Sequence, residues 1–163
     1  MKRIQNLLLH LLLFFSLVLA GCALTLDQKE HASPSKLFAK IERSACLGAC
    51  PVFSLAIYFD GTAIFHGAEN TKTIGADNIN LSKSQLVQIS DAFTRTGFLM
   101  MNSSCCGCDQ MADKSLSLIT YQGNGPYKQI KNYRGCSSLW SKELTELEDL
   151  ILDITDARAL IGK

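Results

Sequence analysis

Phe53-Ser54-Leu55-Ala56-Ile57-Tyr58-Phe59-Asp60-Gly61-Thr62 is the stretch that decides how this chain folds. Phe53, Leu55, Ile57 and Phe59 fall on one side of an extended backbone and Ser54, Ala56 and Tyr58 on the other, which is the two-residue period of a half-buried strand. The run from Thr62 to His66 continues after Asp60-Gly61. An Asp-Gly pair between two such runs signals a hairpin, because a two-residue type I′ loop needs positive φ at both central positions. That loop would set Ile57 opposite Ile64 and Leu55 opposite His66. Upstream, Leu37, Ala39 and Ile41 alternate in the same way and predict a third strand, leaving Cys46 to Pro51 as the connection.

Downstream, Ser82 is placed as an N-cap with Gln85 three positions on, flanked by Leu81 and Leu86 as a hydrophobic staple requires. The buried stripe of this helix is Leu86, Ile89 and Phe93, and Gly97 is positioned to end it in a left-handed conformation. Two further strands are predicted around Ser115 to Tyr121 and Tyr127 to Tyr133, joined by a turn containing Asn124-Gly125. From about Ser141 to Asp156, Leu144, Leu147, Ile151 and Ile154 recur at helical spacing. The expectation is an α+β domain: an antiparallel sheet of about five strands with two helices packed on one face, in the order βββαββα.

The amino terminus reads differently. Lys2 and Arg3 precede an apolar run from Leu7 to Val18, broken only by His10 and Ser16, and Leu19-Ala20-Gly21-Cys22 closes it. The run is shorter than the roughly 20 residues that span a bilayer and has the layout of a secretory signal. It resembles the start of bacterial lipoprotein precursors. The resemblance implies cleavage of the Gly21-Cys22 bond by signal peptidase II and a diacylglycerol on the Cys22 thiol. With Ala23 rather than Asp next, it also implies delivery to the outer membrane, facing the periplasm. Residues 1–21 are then a signal peptide, 22–35 a lipidated cysteine and flexible tether, and 36–163 a single domain. Losing Lys2 and Arg3 brings sixteen basic residues to fourteen against fifteen acidic ones. That near balance resembles neither a nucleic-acid binder nor a polybasic membrane protein.

Beyond Cys22 there are six cysteines: Cys46, Cys50, Cys105, Cys106, Cys108 and Cys136. An even count in an oxidising compartment favours disulfides, in any of fifteen pairings. In Cys46-Leu47-Gly48-Ala49-Cys50-Pro51, Gly48 lets the backbone turn back and bring the Cα atoms within the ~4.4–6.8 Å that a disulfide needs. The competing reading is Cu(I), held by the two thiolates with His66 or His31. Copper chaperones with a Cys-x-x-x-Cys-Pro segment carry it on a thioredoxin-like fold, however, which the hairpin pattern opposes. Cys105-Cys106-Gly107-Cys108 contains a Cys-x-x-Cys, the spacing of disulfide oxidoreductases. A redox motif belongs at a helix start after a buried strand, whereas Asn102-Ser103-Ser104 and Asp109 read as loop. One of the three would instead bridge to Cys136, leaving the other two to pair. Zinc would take Cys105, Cys108, Cys136 and one of Cys46 or Cys50.

Taken together, these stretches resemble an uncharacterised family of bacterial secreted and lipoprotein domains. Its pattern is Cys-x-Gly-x-Cys-Pro, an alternating strand, an Asp-Gly turn and a late Gly-Cys before the final helix. Cys46, Gly48, Cys50, Pro51, Asp60, Gly61, Gly135 and Cys136 match it, over roughly Leu37 to Ile154. The resemblance implies a fold and a compartment but no reaction.

No Gly-x-Ser-x-Gly, P-loop or dinucleotide fingerprint occurs. His10 belongs to the signal, His31 to the tether, and His66 to a strand end facing water. Asp60 reads as a turn residue, and Asp109 and Asp113 as solvated carboxylates of the cysteine-rich loop. Neither a cofactor nor a resident metal is expected. Trp140, Tyr121, Tyr127 and Tyr133 form either an aromatic patch for a protein or glycan, or ordinary core and sheet packing. The expected function is that of a non-enzymatic, disulfide-braced binding or structural module, held to the membrane by lipid on Cys22, with an envelope protein or glycan as partner. The alternative is a periplasmic thiol-redox or metal (copper or zinc) handling protein that uses Cys105 and Cys108, or Cys46 and Cys50.

Overall fold

The computed structural model describes residues 35–103, 113–123 and 125–162. The signal, Cys22, the tether with His31, Cys105, Cys106, Cys108, Asp109 and Asn124 lie outside them. Six strands, β1 (Leu37–Arg43), β2 (Val52–Tyr58), β3 (Thr62–Glu69), β4 (Gly75–Asn80), β5 (Leu116–Tyr121) and β6 (Lys128–Tyr133), make one sheet in the order β4-β3-β2-β1-β5-β6. Every neighbouring pair is antiparallel. Three helices, α1 (Lys83–Arg95), α2 (Leu139–Ile154) and the short α3 (Arg158–Ile161), and a 3₁₀ turn at Phe98–Met100 complete the α+β fold.

Among the described residues there are thus six strands where about five were expected, and three helices where two were. The additional strand, Gly75-Ala76-Asp77-Asn78-Ile79-Asn80, lies at the sheet edge with its side chains largely exposed, so it never needed the apolar alternation by which the others are recognised.

The β2–β3 register also differs from the two-residue loop. Leu55 pairs with Phe65, Ala56 with Ile64 and Ile57 with Ala63. The loop is Phe59-Asp60-Gly61, with Gly61 at φ +91. Opposed residues share a face, so the two-residue register would have put His66 into the core beside Leu55. The observed one buries Phe65 and leaves His66 exposed. Asp60 holds the turn by accepting from the Thr62 N–H at 2.8 Å, a bond that keeps its carboxyl below the ordinary carboxylate value.

One face of the sheet carries the core. Phe65, Leu55, Ile41, Ile119 and Ile130 form a continuous row across five strands, all essentially inaccessible. Helix α1 lies over the row containing Tyr121, whose ring stacks on Phe93 at 4.1 Å and whose hydroxyl meets Ser90 Oγ at 3.0 Å. Its start carries the capping box expected of Ser82 and Gln85. Gly97, at φ +67, ends it as expected. Helix α2 crosses the row containing Arg43, Ser117 and Asn132, capped by Ser138.

Candidate functional site

A disulfide and several hydrogen bonds fasten the end of the sheet where β1 finishes, β2 begins and β6 runs into α2. Cys46 and Cys50 are joined there by a disulfide with Cα atoms 5.7 Å apart. Gly48 sits inside that small ring at φ +150, and its N–H donates to the Cys46 carbonyl at 2.9 Å. Asn70 Nδ2, from the β3–β4 connection, donates to the Cys50 carbonyl at 3.1 Å. Ser44 is tied to β5 twice, through its N–H to the Leu116 carbonyl (2.9 Å) and through its Oγ accepting from the Leu116 N–H (3.0 Å). At the end of β6, Arg134 N–H donates to the Ser115 carbonyl and Cys136 N–H to the Tyr133 carbonyl. Cys136 is itself disulfide-bonded. The bridge expected from Cys136 to one of Cys105, Cys106 and Cys108 falls on residues outside those described.

Beneath this end sits a carboxylate with no access to water. Glu148, on the inner face of α2, accepts at Oε1 from Arg43 Nε (2.9 Å) and Nη2, and at Oε2 from Arg134 Nη1 (2.8 Å). Its side chain is 0% exposed, against 10% for Arg43 and 21% for Arg134. The Arg43 guanidinium also lies 4.8 Å from the centroid of the Phe53 ring, which stacks in turn on Phe65. Beside it, the buried Asn132 donates to Thr145 Oγ1 at 3.1 Å and accepts from Ser141 Oγ at 2.8 Å. The network ties β1, β6 and α2 together under the disulfide loop. At the far end of α2, Arg158 from α3 grips Asp153, a bond that lowers the Asp153 carboxyl and raises the guanidinium relative to their ordinary values.

At this end of the sheet three apolar side chains are exposed: Leu47 in the disulfide loop, and Leu139 and Trp140 at the start of α2. The four aromatics that could have formed one patch are divided. Tyr121 and Tyr133 are buried, Trp140 is exposed at this end, and Tyr127 is exposed at the other, where β6 begins. The patch fails because Tyr121 is drawn under α1 by Phe93 and Ser90. His66 lies within β3 rather than at its end, and exposed Asp113 precedes β5. With Cys46 and Cys50 bonded to each other, neither offers a thiolate, so copper or zinc ligation there would first require reduction. Among the described residues no group of three or more His, Cys, Asp or Glu is gathered as a ligand set.

The buried ionic cluster was missed in the sequence although two signals pointed to it. Arg43 shares strand parity with Ala39 and Ile41, so a core-facing position of β1 carries a charge. Glu148 falls four residues after Leu144 and three before Ile151, on the apolar stripe of α2. Nothing comparable marks Arg134.

No curated protein and no solved structure matches the chain. A family model does match, over residues 38–155, which takes in all but the first residue of β1, everything from β2 through α2 and every residue of the ionic cluster. The chain therefore belongs to the family described as domain of unknown function DUF6438.

Proposed function

We propose that the mature protein is a lipid-anchored envelope protein, held through Cys22 to the outer membrane and facing the periplasm. Its α+β domain serves as a binding or structural module for another envelope protein or a glycan. The observation that carries this reading is Leu47, 80% exposed in a loop closed by a disulfide and fastened to Asn70. An apolar side chain displayed on a loop that is already ordered binds without the entropy cost of ordering it. Trp140, exposed at the same end, is the residue type that most often anchors such contacts.

Photo-crosslinking side chains placed at Leu47 and at Trp140 in growing cells test the reading, with exposed Val87 on α1 as control. A common adduct from the first two positions, absent from the third, is the expected result. No adduct from either would refute the proposed surface. The alternative, thiol redox or metal handling through Cys105 and Cys108 or through Cys46 and Cys50, separates from it by thiol counting. A braced module taken from an oxidising compartment shows almost no free thiol. A redox protein shows a pair reduced by mild reagents, at a potential above the roughly −300 mV below which structural disulfides lie.

A further inference from the structure

We infer that the end of the sheet opposite the disulfide, formed by Lys36, Phe59, Leu99, Met100 and Tyr127, rests on the headgroups and outer acyl region of the membrane that holds Cys22. The inference rests on the lipid-anchored reading above and adds the orientation of the domain. At this end the turn Phe98–Met100 divides its side chains. Phe98 is fully buried, ring to ring with Phe93, while Leu99 is 40% and Met100 91% exposed. The turn stands on Gly97 in the left-handed conformation, which directs two consecutive apolar side chains away from the core.

Tyr127, 59% exposed, lies just before β6 and adds an amphipathic ring of the kind that settles at a membrane interface. These groups are contiguous. A Cβ placed on Gly125 would lie 3.4 Å from Leu99 Cδ1, and Gly125 lines one cleft together with Lys36 and Phe59. Lys128 Nζ donates to the Met101 carbonyl, joining the turn to β6.

Connectivity points this end at lipid. Lys36, with its ammonium 5.4 Å from the centre of the Phe59 ring, places a cation beside the apolar groups, the combination by which peripheral elements engage headgroups. It offsets the exposed carboxylate of Asp60 at the same end. Strand β1 enters the sheet here, and Ser35 follows Cys22 by 13 residues. A chain of that length spans at most ~45 Å, and the point where it joins the domain is this end, which is the covalent link to the bilayer. A patch too small to hold free protein on a membrane is engaged when a short linker supplies a local concentration in the millimolar range.

The test uses the full lipidated chain, reconstituted into phosphatidylethanolamine and phosphatidylglycerol vesicles with bromine on the acyl chains. The single tryptophan, Trp140, lies at the opposite end. Its emission is expected to match that in unbrominated vesicles. Met100→Trp and, separately, Tyr127→Trp, each combined with Trp140→Phe, are expected to shift to the blue and lose most of their emission to the bromines. Both sites are exposed, so neither change disturbs the core. Protein that floats with the vesicles yet keeps full emission from both reporters overturns the orientation and leaves the anchor standing. So does quenching of Trp140 as strong as that of the Met100→Trp reporter. Protein that does not float overturns the anchor and the inference together.

Discussion

Replacing Glu148 by alanine should destabilise the domain by about 3–5 kcal/mol, the usual loss when one partner of a buried ion pair is removed and the other stays behind. The structure explains why the figure is not smaller. The lost carboxylate accepts from both Arg43 nitrogens at one oxygen and from Arg134 at the other. Arg43, 10% exposed beneath α2, would keep, among the described residues, the Phe53 ring as the partner of its guanidinium. Arg134 has an outlet: Asp149 lies 3.8 Å away and its side chain is partly in water. Glu148→Gln keeps an oxygen for Arg43 but removes the negative charge and turns an amide toward Arg134, so a loss of at least about 2 kcal/mol is expected, approaching the alanine figure.

Urea unfolding with disulfides intact measures both variants. For a domain of this size a loss of 3–5 kcal/mol lowers Tm by about 10–20 °C, and an unchanged m-value would show that the same transition is being compared. Glu146→Ala is the control. Its partner Lys142 is 3.9 Å away with both side chains exposed, and removing it should cost less than about 0.5 kcal/mol. A Glu148→Ala loss below about 1 kcal/mol would refute the reasoning, because it would mean that both arginines regain water without disturbing the fold.

Replacing Cys46 and Cys50 together by serine should cost about 2 kcal/mol, the low end for disulfides because a separation of 4 residues closes a small loop; an unchanged unfolding midpoint would contradict a stabilising link. Asp60→Ala should lower Tm at neutral pH. Because the Thr62 N–H depresses the folded carboxyl below its ordinary 3.8, its stabilisation is present above that value and is lost as pH falls through the folded value. The Tm gap between variant and parent should therefore close in acid, and a gap that stays constant would remove the carboxylate from the account. Cys22→Ser should accumulate as an uncleaved, lipid-free precursor, read from its mass and from acyl labelling; normal processing would dispose of the lipobox.

How much of the fold could be read from the sequence depended on which elements face the core. β2 buries every second residue, and β1, β5 and β6 keep such a row (Ala39 and Ile41; Ser117, Ile119 and Tyr121; Ile130 and Asn132) with further buried neighbours such as Phe38 and Tyr133 beside it. α1 carried both its cap and its stop, so each of these elements was recognisable from local chemistry. β4 could not be, since an edge strand with Asp77, Asn78 and Asn80 exposed satisfies its backbone on β3 and asks nothing of its side chains. The hairpin register turned on a single residue. Phe59 continues the alternation of β2 on paper, yet it joins the turn and packs its ring edge-on against Phe38 at 5.1 Å. At the candidate site, the Cys46 and Cys50 spacing announced a closed loop. The ionic cluster beneath it was not announced, because Arg134 and Glu148 become neighbours only when α2 folds back over β6.

The position of that cluster follows from what the core lacks at this end. The middle row of the sheet presents Phe65, Leu55, Ile41, Ile119 and Ile130 to the helices, ample apolar area to hold them by burial alone. The row under α2 presents Gly75, Gly67, Phe53, Arg43, Ser117 and Asn132, of which only Phe53 is a large apolar group. Helix α2 buries Leu144, Leu147, Ile151 and Leu152, and over this row it adds directional bonds, Asn132 with Ser141 and Thr145 and Glu148 with the two arginines. Such bonds are unforgiving: a helix rotated by one residue would leave Glu148 without its arginines and Asn132 without its hydroxyls, each a buried polar group unmatched. An apolar interface would tolerate that slip. The polar one fixes the rotation of α2, and with it the direction in which Leu139 and Trp140 face outward, so the same groups that match each other under the helix also set the geometry of its exposed start.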